Sequence, residues 1–412
     1  MIIERLEIKI GNSKTQFIDG DRSSRYPKRE EYVNSGVMFL NSESIKNGVI
    51  DESAVNFISE KKYSEIKKGR IRKSDVLITT RGNGVGNVSF VDTDKKGLIN
   101  AQMLILRTNP EEISSKFLFY YFKSKSMQSY INNFASGSAQ PQIPIRDLKQ
   151  IPLFIFPVEI QQKIAAILSA YDDLIENNKR RIALLEKMAE EVYREWFVRL
   201  RFSGHEKVKV VKGVPVGWED GKLGEVVNLT MGQSPKSEFY NDTGNGLPFN
   251  QGVGTYGDRF PKRVTYCSVD GRKAKAGDIL FSVRAPVGRL NIADCDMIIG
   301  RGLAAIRHKN GKNVYLYYLM KVLFANEDII GNGAIFNSVG KDELSAFPIL
   351  KPNDGLVEKF NTVAGNIDKE IALLYMAQEN LTQTRDSLLP RLISGKLSVE
   401  NLDIQFPPGM EK

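Results

Sequence analysis

Three glycines at alternate positions, Gly82, Gly84 and Gly86, follow a β-branched run in this 412-residue chain, and such a loop could cradle phosphates. It lacks the third-glycine spacing of a dinucleotide fingerprint and a convincing acidic residue about twenty positions on. A tight turn is the simpler reading. No GxxxxGK followed by Ser or Thr is present, so the sequence offers no site for an ATP-driven motor. The two histidines, His205 and His308, are too few and too isolated for a metal-dependent nuclease or a hydrolytic triad. Both cysteines, Cys267 and Cys295, are expected to be reduced and structural. An adenine amino-methyltransferase needs Asn or Asp before Pro-Pro and an aromatic, whereas Pro407 and Pro408 follow Phe406 and precede Gly409. No catalytic residue, metal ligand or bound cofactor is expected on this chain.

What the residues do offer is a surface for a polyanion. The formal charge is +9, from 58 basic and 49 acidic residues, which favours nucleic acid as a partner. Lys61, Lys62, Lys67, Lys68, Arg70, Arg72 and Lys73 form one basic cluster. Lys262, Arg263, Arg272, Lys273 and Lys275 form a second. Both suit phosphate contacts, which position a protein on a duplex and make its affinity salt-dependent. Reading bases needs side chains that fork onto base edges, Arg on guanine and Asn or Gln on adenine. Candidates in turn-rich segments are Arg81, Asn83, Gln140 and Gln142 in the first half of the chain, and Gln233, Gln251, Arg284, Arg289 and Asn337 in the second.

The elements that must position these residues occur twice. Residues 74–81 match residues 277–284 at an offset of 203, both reading as a buried strand that ends in arginine. Val85 and Gly86 pair with Val287 and Gly288, residues 98–107 with 298–307, and Tyr120 and Tyr121 with Tyr317 and Tyr318. Each copy is expected to be an α+β globule with one aromatic helix, at residues 115–126 and 314–324. The stretch 231–258, rich in Gly, Asn and Pro, reads as a long loop.

A helix follows each globule. Ile164, Tyr171, Asn178, Leu185 and Val192 recur every seven residues, as do Phe360, Ile367, Leu374, Leu381 and Leu388. These are heptad seams, expected to pack on each other as an antiparallel coiled coil and to act as a spacer. Ile167, Leu174 and Met188 are expected to supply the second row of the first stripe, and Val363 and Ala377 that of the second. Asn178 at a seam position suits register setting, or else a solvated point where the helices splay. Pro390 and Gly395 predict a kink or end. With a longest apolar stretch of 151–158 and charged residues near Met1, the sequence predicts neither a membrane span nor a secretory signal, and so a cytoplasmic chain.

At Ile160, Gln161, Gln162, Lys163, Ile164 and Ala165, at Leu184, Leu185, Glu186, Lys187 and Met188, at Tyr193, Arg194, Glu195, Trp196 and Phe197, and along residues 387–397, the chain resembles the specificity subunit of type I restriction-modification systems. The resemblance covers nearly the whole length. It implies a first target-recognition domain at 1–156, a conserved helical region at 157–204, a second recognition domain at 205–352 and a second helical region with its tail at 353–412. Gly217, Trp218, Lys222, Leu223 and Gly224 open the second globule in the family manner, whereas no Trp opens the first. It further implies a bipartite DNA site with one half per globule, and a non-catalytic scaffold for two modification subunits and for restriction subunits. S-adenosylmethionine, ATP and Mg would then sit on those partners. The specificity subunit of a type IIB-like methyltransferase-nuclease would share this architecture. A nucleotide-using enzyme built on residues 82–86, or a purely structural coiled-coil protein, are the readings from other classes.

Overall fold

The computed structural model describes residues 6–82, 84–135, 141–325, 329–330, 334–335 and 338–406. They form two compact units: Met1–Asn178 with Ala377–Lys412, and Lys179–Met376. Each is mixed α+β, and no helix among the described residues is long and apolar enough to cross a membrane.

In the first unit, the strand Val76–Thr79 is fully buried, and Met103–Arg107 is buried up to its half-buried Arg107; both are rich in branched and large apolar residues, which suits central strands. They pair antiparallel, with Gln16–Asp19 on one side and Val88–Phe90 on the other. A second four-stranded sheet holds Val37–Leu40 between Gly97–Ile99 and Asn56–Ile58, with Tyr32–Val33 at its edge. The aromatic helix spans Ser115–Lys123 and buries Phe117 to Phe122 without a break. A further helix, Lys125–Ala135, follows it. Leu6–Lys9 closes on Pro152–Ile155. Although no Trp opens this globule, its first strand is placed as in the second unit, where Glu219–Lys222 pairs with Pro348–Lys351.

The second unit repeats the central sheet with Val227–Met231, Leu303–His308, Ile279–Ser282 and Leu290–Ile292, and its aromatic helix is Asn313–Leu323. The expected long loop at 231–258 is a correction, because it contains the strands Tyr240–Asn241 and Leu247–Asn250 and two short helical turns. Leu247–Asn250 pairs in parallel with Met297–Ile299. Partners some fifty residues away carry no local sequence signal.

Two long helices, Val158–Tyr193 and Asp354–Ile393, each contribute to both units. In the first unit, Ile164 and Leu168 share a buried cluster with Leu389 and Leu392. In the second, Ile182 packs with Ile371 and Leu374. The ten seam residues all lie on buried or half-buried faces, Asn178 included at 7% exposure. The second row differs from expectation: Leu174, Met188 and Val363 are exposed, and Leu168, Ile175, Ile182 and Ala189, with Ala364 and Ile371, take that role. Steps of three and of four both meet apolar residues along most of these stretches, so the pattern alone does not choose between them. The second helix runs through Pro390 and stops at Ile393, two residues before Gly395 with φ +73.

Candidate nucleic-acid interface

Each central sheet ends in a rim of turns. In the first unit, Thr80 donates its N–H to the Gln102 carbonyl at 2.7 Å, and Ile143 donates to the Thr80 carbonyl at 2.9 Å. Arg81 is thereby bridged to Gln142, two base-reading candidates far apart in sequence. The second unit repeats this arrangement. Val283 donates to Gly302 at 2.9 Å, Val339 donates to Val283 at 3.0 Å, and Arg284 stands opposite Ser338. Asn83, Gln140 and Asn337 lie outside the described residues.

The glycine triad is a hairpin turn. Gly86 donates to the Thr79 carbonyl at 2.9 Å, and Gly82 and Gly86 both have φ +88. A Cβ on Gly86 would come within 2.8 Å of Ile131, so the turn is closed against the helix beside it.

Behind each rim the backbone closes tightly. A Cβ on Gly20 would lie 2.2 Å from the Asn100 carbonyl oxygen, and one on Gly232 would lie 2.2 Å from that of Gly300. Gln233 is exposed and fixed by its N–H to the Ile299 carbonyl at 3.0 Å. Gln251 accepts from Ser234 Oγ at 2.8 Å. Arg289 is exposed in the adjoining turn, and its backbone N–H donates to Ser282 Oγ at 2.8 Å.

The same rims carry polar residues that the sequence reading missed. In the first unit, Asn100 Nδ2 donates to Gln102 Oε1 at 3.2 Å, while Arg22 bonds the Ala101 carbonyl at 3.3 Å. Arg301 occupies the matching turn of the second unit and is exposed, its N–H donating to Ser234 Oγ at 3.2 Å. The aligned turns after Ile99 and Ile299 were the available signal. Among the described residues, the guanidinium groups of Arg81, Arg284 and Arg301 have no hydrogen-bond or ion-pair partner.

The basic clusters divide by the same test. Arg70 is folded inward: its Nε and Nη2 each bond a backbone carbonyl at 2.8 Å, Ile66 and Tyr63, and it stacks on the Tyr63 ring at 4.3 Å. Lys62 is paired with Glu31 at 2.9 Å, Lys73 with Asp94 at 3.6 Å, and Lys273 with Asp270 at 2.6 Å; Arg263 is paired with Asp294. Lys61, Lys67, Lys68, Arg72, Lys262, Arg272 and Lys275 are exposed with no side-chain hydrogen bond or ion pair among the described residues. Lys67 and Arg72 line an open groove of about 680 Å³ with Tyr63 and Lys96.

At the opposite end of each sheet, an aspartate at the start of the central strand holds an arginine at the end of its neighbour. Arg107 grips Asp75 through Nε at 2.7 Å and Nη2 at 2.8 Å, with Asp75 only 1% exposed. Arg307 holds Asp278 in the second unit. Removing Arg107 would leave the buried Asp75 charge unpaired, at a cost of about 3–5 kcal/mol. These pairs are therefore framework, and the unpaired arginines at the other end are the residues open to a ligand.

His205 is exposed with Nδ1 2.9 Å from the Phe202 carbonyl, while His308 is buried and accepts the Asn310 N–H at 3.1 Å. Cys267 and Cys295 are unpaired.

The family model described as the type I restriction modification DNA specificity domain matches residues 17–187 and 215–355. A Methanocaldococcus jannaschii protein named for the MjaX specificity subunit of a type I restriction enzyme is 30% identical over 373 residues, covering 87% of this chain and 86% of that protein. The MjaIX specificity subunit of the same organism is 27% identical, covering 84% and 82%. A crystal structure of the type I restriction-modification S subunit of M. genitalium has a similar fold, with TM-score 0.62, 19% identity, and coverage of 95% and 96%.

Proposed function

Since the chain belongs to the type I restriction modification DNA specificity domain family and is a DNA sequence-recognition subunit, we propose that it reads a bipartite site, one half with each compact unit. The observation that carries this reading is the duplicated rim, where Arg81 beside Gln142 and Arg284 beside Ser338 occupy equivalent turns and have guanidinium groups without a partner among the described residues. Arginine forks onto guanine and glutamine onto adenine, and the two rims differ in these residues, as two unlike half-sites require. Lys61, Lys67, Lys68 and Arg72 in the first unit, and Lys262, Arg272 and Lys275 in the second, hold phosphates and set the register without sequence information.

In this proposal the long helices form an antiparallel coiled coil that spaces the half-sites. Their exposed apolar residues, Leu184, Met188, Leu373 and Met376, form a docking face for two modification subunits, with restriction subunits joining that assembly in the cytoplasm. Exposed apolar residues gathered on one face mark interaction sites when they form a contiguous patch. S-adenosylmethionine, ATP and Mg are held by those partners, and this chain contributes binding alone.

The test is to exchange residues 1–156 for the matching segment of another family member and map modified adenines in cells that express the chain with its partner subunits. One half of the recognised sequence should change and the other should persist. A wholly unchanged or wholly new sequence would overturn the assignment of one half-site to each unit.

A further inference from the structure

We infer that Arg259 is a positioning residue that locks the second unit's reading rim to its helix segments and so fixes the gap that the chain accepts between half-sites; this rests on the bipartite reading above.

Arg259 is 1% exposed, the largest side chain among those fully buried. It leaves the recognition globule and enters between the long helices. Nη1 donates to Glu186 of the first helix at 3.1 Å, Nη2 bonds Asp368 of the second, and the guanidinium lies 4.8 Å from the centre of the Tyr317 ring. Next to it, Phe260 meets Tyr375 edge-on at 5.3 Å. The other side of this loop is tied to the central sheet, where Ile292 donates to the Arg259 carbonyl at 2.9 Å and Asn291 to the Gly257 carbonyl at 3.1 Å. Those residues lie in the strand paired with Ile279–Ser282, and Arg284 follows that strand. A continuous bonded path thus runs from the helices through Arg259 to the rim.

The lock adds to other attachments on the same segments: the aromatic cluster in which Tyr193 and Phe197 meet Phe360, Tyr315 and Tyr318, and the ion pair of Lys321 with Glu190 at 2.9 Å. Glu186 lies seven residues before Tyr193 and Asp368 eight after Phe360, which is about 10–12 Å along each helix. Holding a globule farther along both helices restricts its pivoting more than holding it at one level. Accuracy is needed because one base pair more in the gap moves a half-site by about 3.4 Å and turns it by roughly 35°. A globule free to pivot by that much would accept either gap.

The chemistry of the joint favours geometry over stability. Arg259 Nε and Tyr318 OH are buried there without a hydrogen-bond partner among the described residues. Well-packed apolar replacements of buried ion triads are often neutral or stabilising, while the triad's directional bonds are lost. Arg259 is thus the residue to keep if orientation is what matters.

The test compares the full-length wild-type chain with Arg259→Met, and with Arg259→Met combined with Glu186→Leu and Asp368→Leu, which removes the buried charge altogether. Each selects from duplexes carrying its two half-sites at a series of gaps, and melting is followed in parallel. The wild type should prefer one gap by roughly 30-fold or more, and the triple variant by about threefold or less, with base preferences and melting temperature unchanged. Retained gap preference in the triple variant would overturn the proposal. So would loss of base preference in step with gap preference, which is the mark of mere structural support. A wild-type chain that selects no paired half-sites would instead refute the bipartite reading, and this inference with it.

Discussion

Arg284 has no side-chain partner among the described residues, and the backbone beside it is held by the Val283 and Val339 hydrogen bonds, so removing it should cost binding and leave the fold intact. Arg284→Ala should weaken binding by about 1–3 kcal/mol and relax preference at one position of the second half-site only. Competition binding against single-base variants of the site would check this, and uniform weakening across all variants would reassign the residue to phosphate. His308 carries a second prediction. Burial, with Lys312 adding to it, holds its imidazole below the usual value. Protonation then favours the unfolded chain, so the stabilisation is complete above about pH 6.5 and is lost as the pH falls through the lower folded value. His308→Gln should flatten the fall in melting temperature between about pH 7 and pH 5. At this scale the sequence was informative about residue type and silent about pairing. Arg70 and Arg72 look equivalent in a row of cations, yet one is folded onto two carbonyls and the other is exposed. Arg301 was hidden because its turn served only to align the two copies, and alignment says nothing about which side chain is exposed.

The central strands and aromatic helices were legible because each is a continuous apolar run that occurs twice in the same order. The first seam row was legible for a similar reason, since five heptads at constant spacing leave little freedom. The second row was not: Ile167 with Leu168, Leu174 with Ile175 and Met188 with Ala189 are all apolar neighbours, and only Arg181 beside Ile182 discriminates between them. The structure therefore predicts unequal costs along one helix. Ile182→Ala or Ile371→Ala should destabilise the chain by about 2–4 kcal/mol, whereas Leu174→Ala or Met188→Ala should stay within about 0.5 kcal/mol. Denaturant unfolding of the isolated chain measures both. Met188→Asp should in addition reduce co-purification of the modification subunits while leaving melting unchanged, if that face is their docking surface. The middle of the stripe is polar, with Asn178 buried and Gln378 Oε1 buried without a hydrogen-bond partner among the described residues. Nearby, Arg385 and Lys123 hold the Asp172 carboxyl below its usual range although burial alone would raise it. That cluster, completed by Tyr120 OH at 2.8 Å from Asp172, joins the first unit's aromatic helix to both long helices, in the role Arg259 plays in the second.

At the scale of the whole molecule, duplication was the most legible feature. The family resemblance implies four consecutive segments; the compact units are a separate division, changing over inside the helices, after Asn178 and after Met376. Contacts made by a helix along its full length belong to whichever neighbour it meets, and no composition change marks the crossover. The first unit is consequently built from the two ends of the chain: Leu389, Leu392, Ile393 and Val399 lie in the same buried cluster as Ile10, Phe117 and Ile164. Lys163 Nζ also bonds the carbonyls of Glu400 at 2.7 Å and Leu402 at 2.8 Å. This sets an order on synthesis. The ribosome delivers the first globule early, yet its core stays open while roughly 200 further residues are made, about 10–40 s at ordinary rates of synthesis. The second unit, contiguous in the chain, is complete before the first can close. A chain stopped after residue 376 should then keep a cooperatively folded second unit and expose the first to protease, the reverse of what truncation at the far end ordinarily does. Limited proteolysis of the stopped chain would show which globule had been waiting.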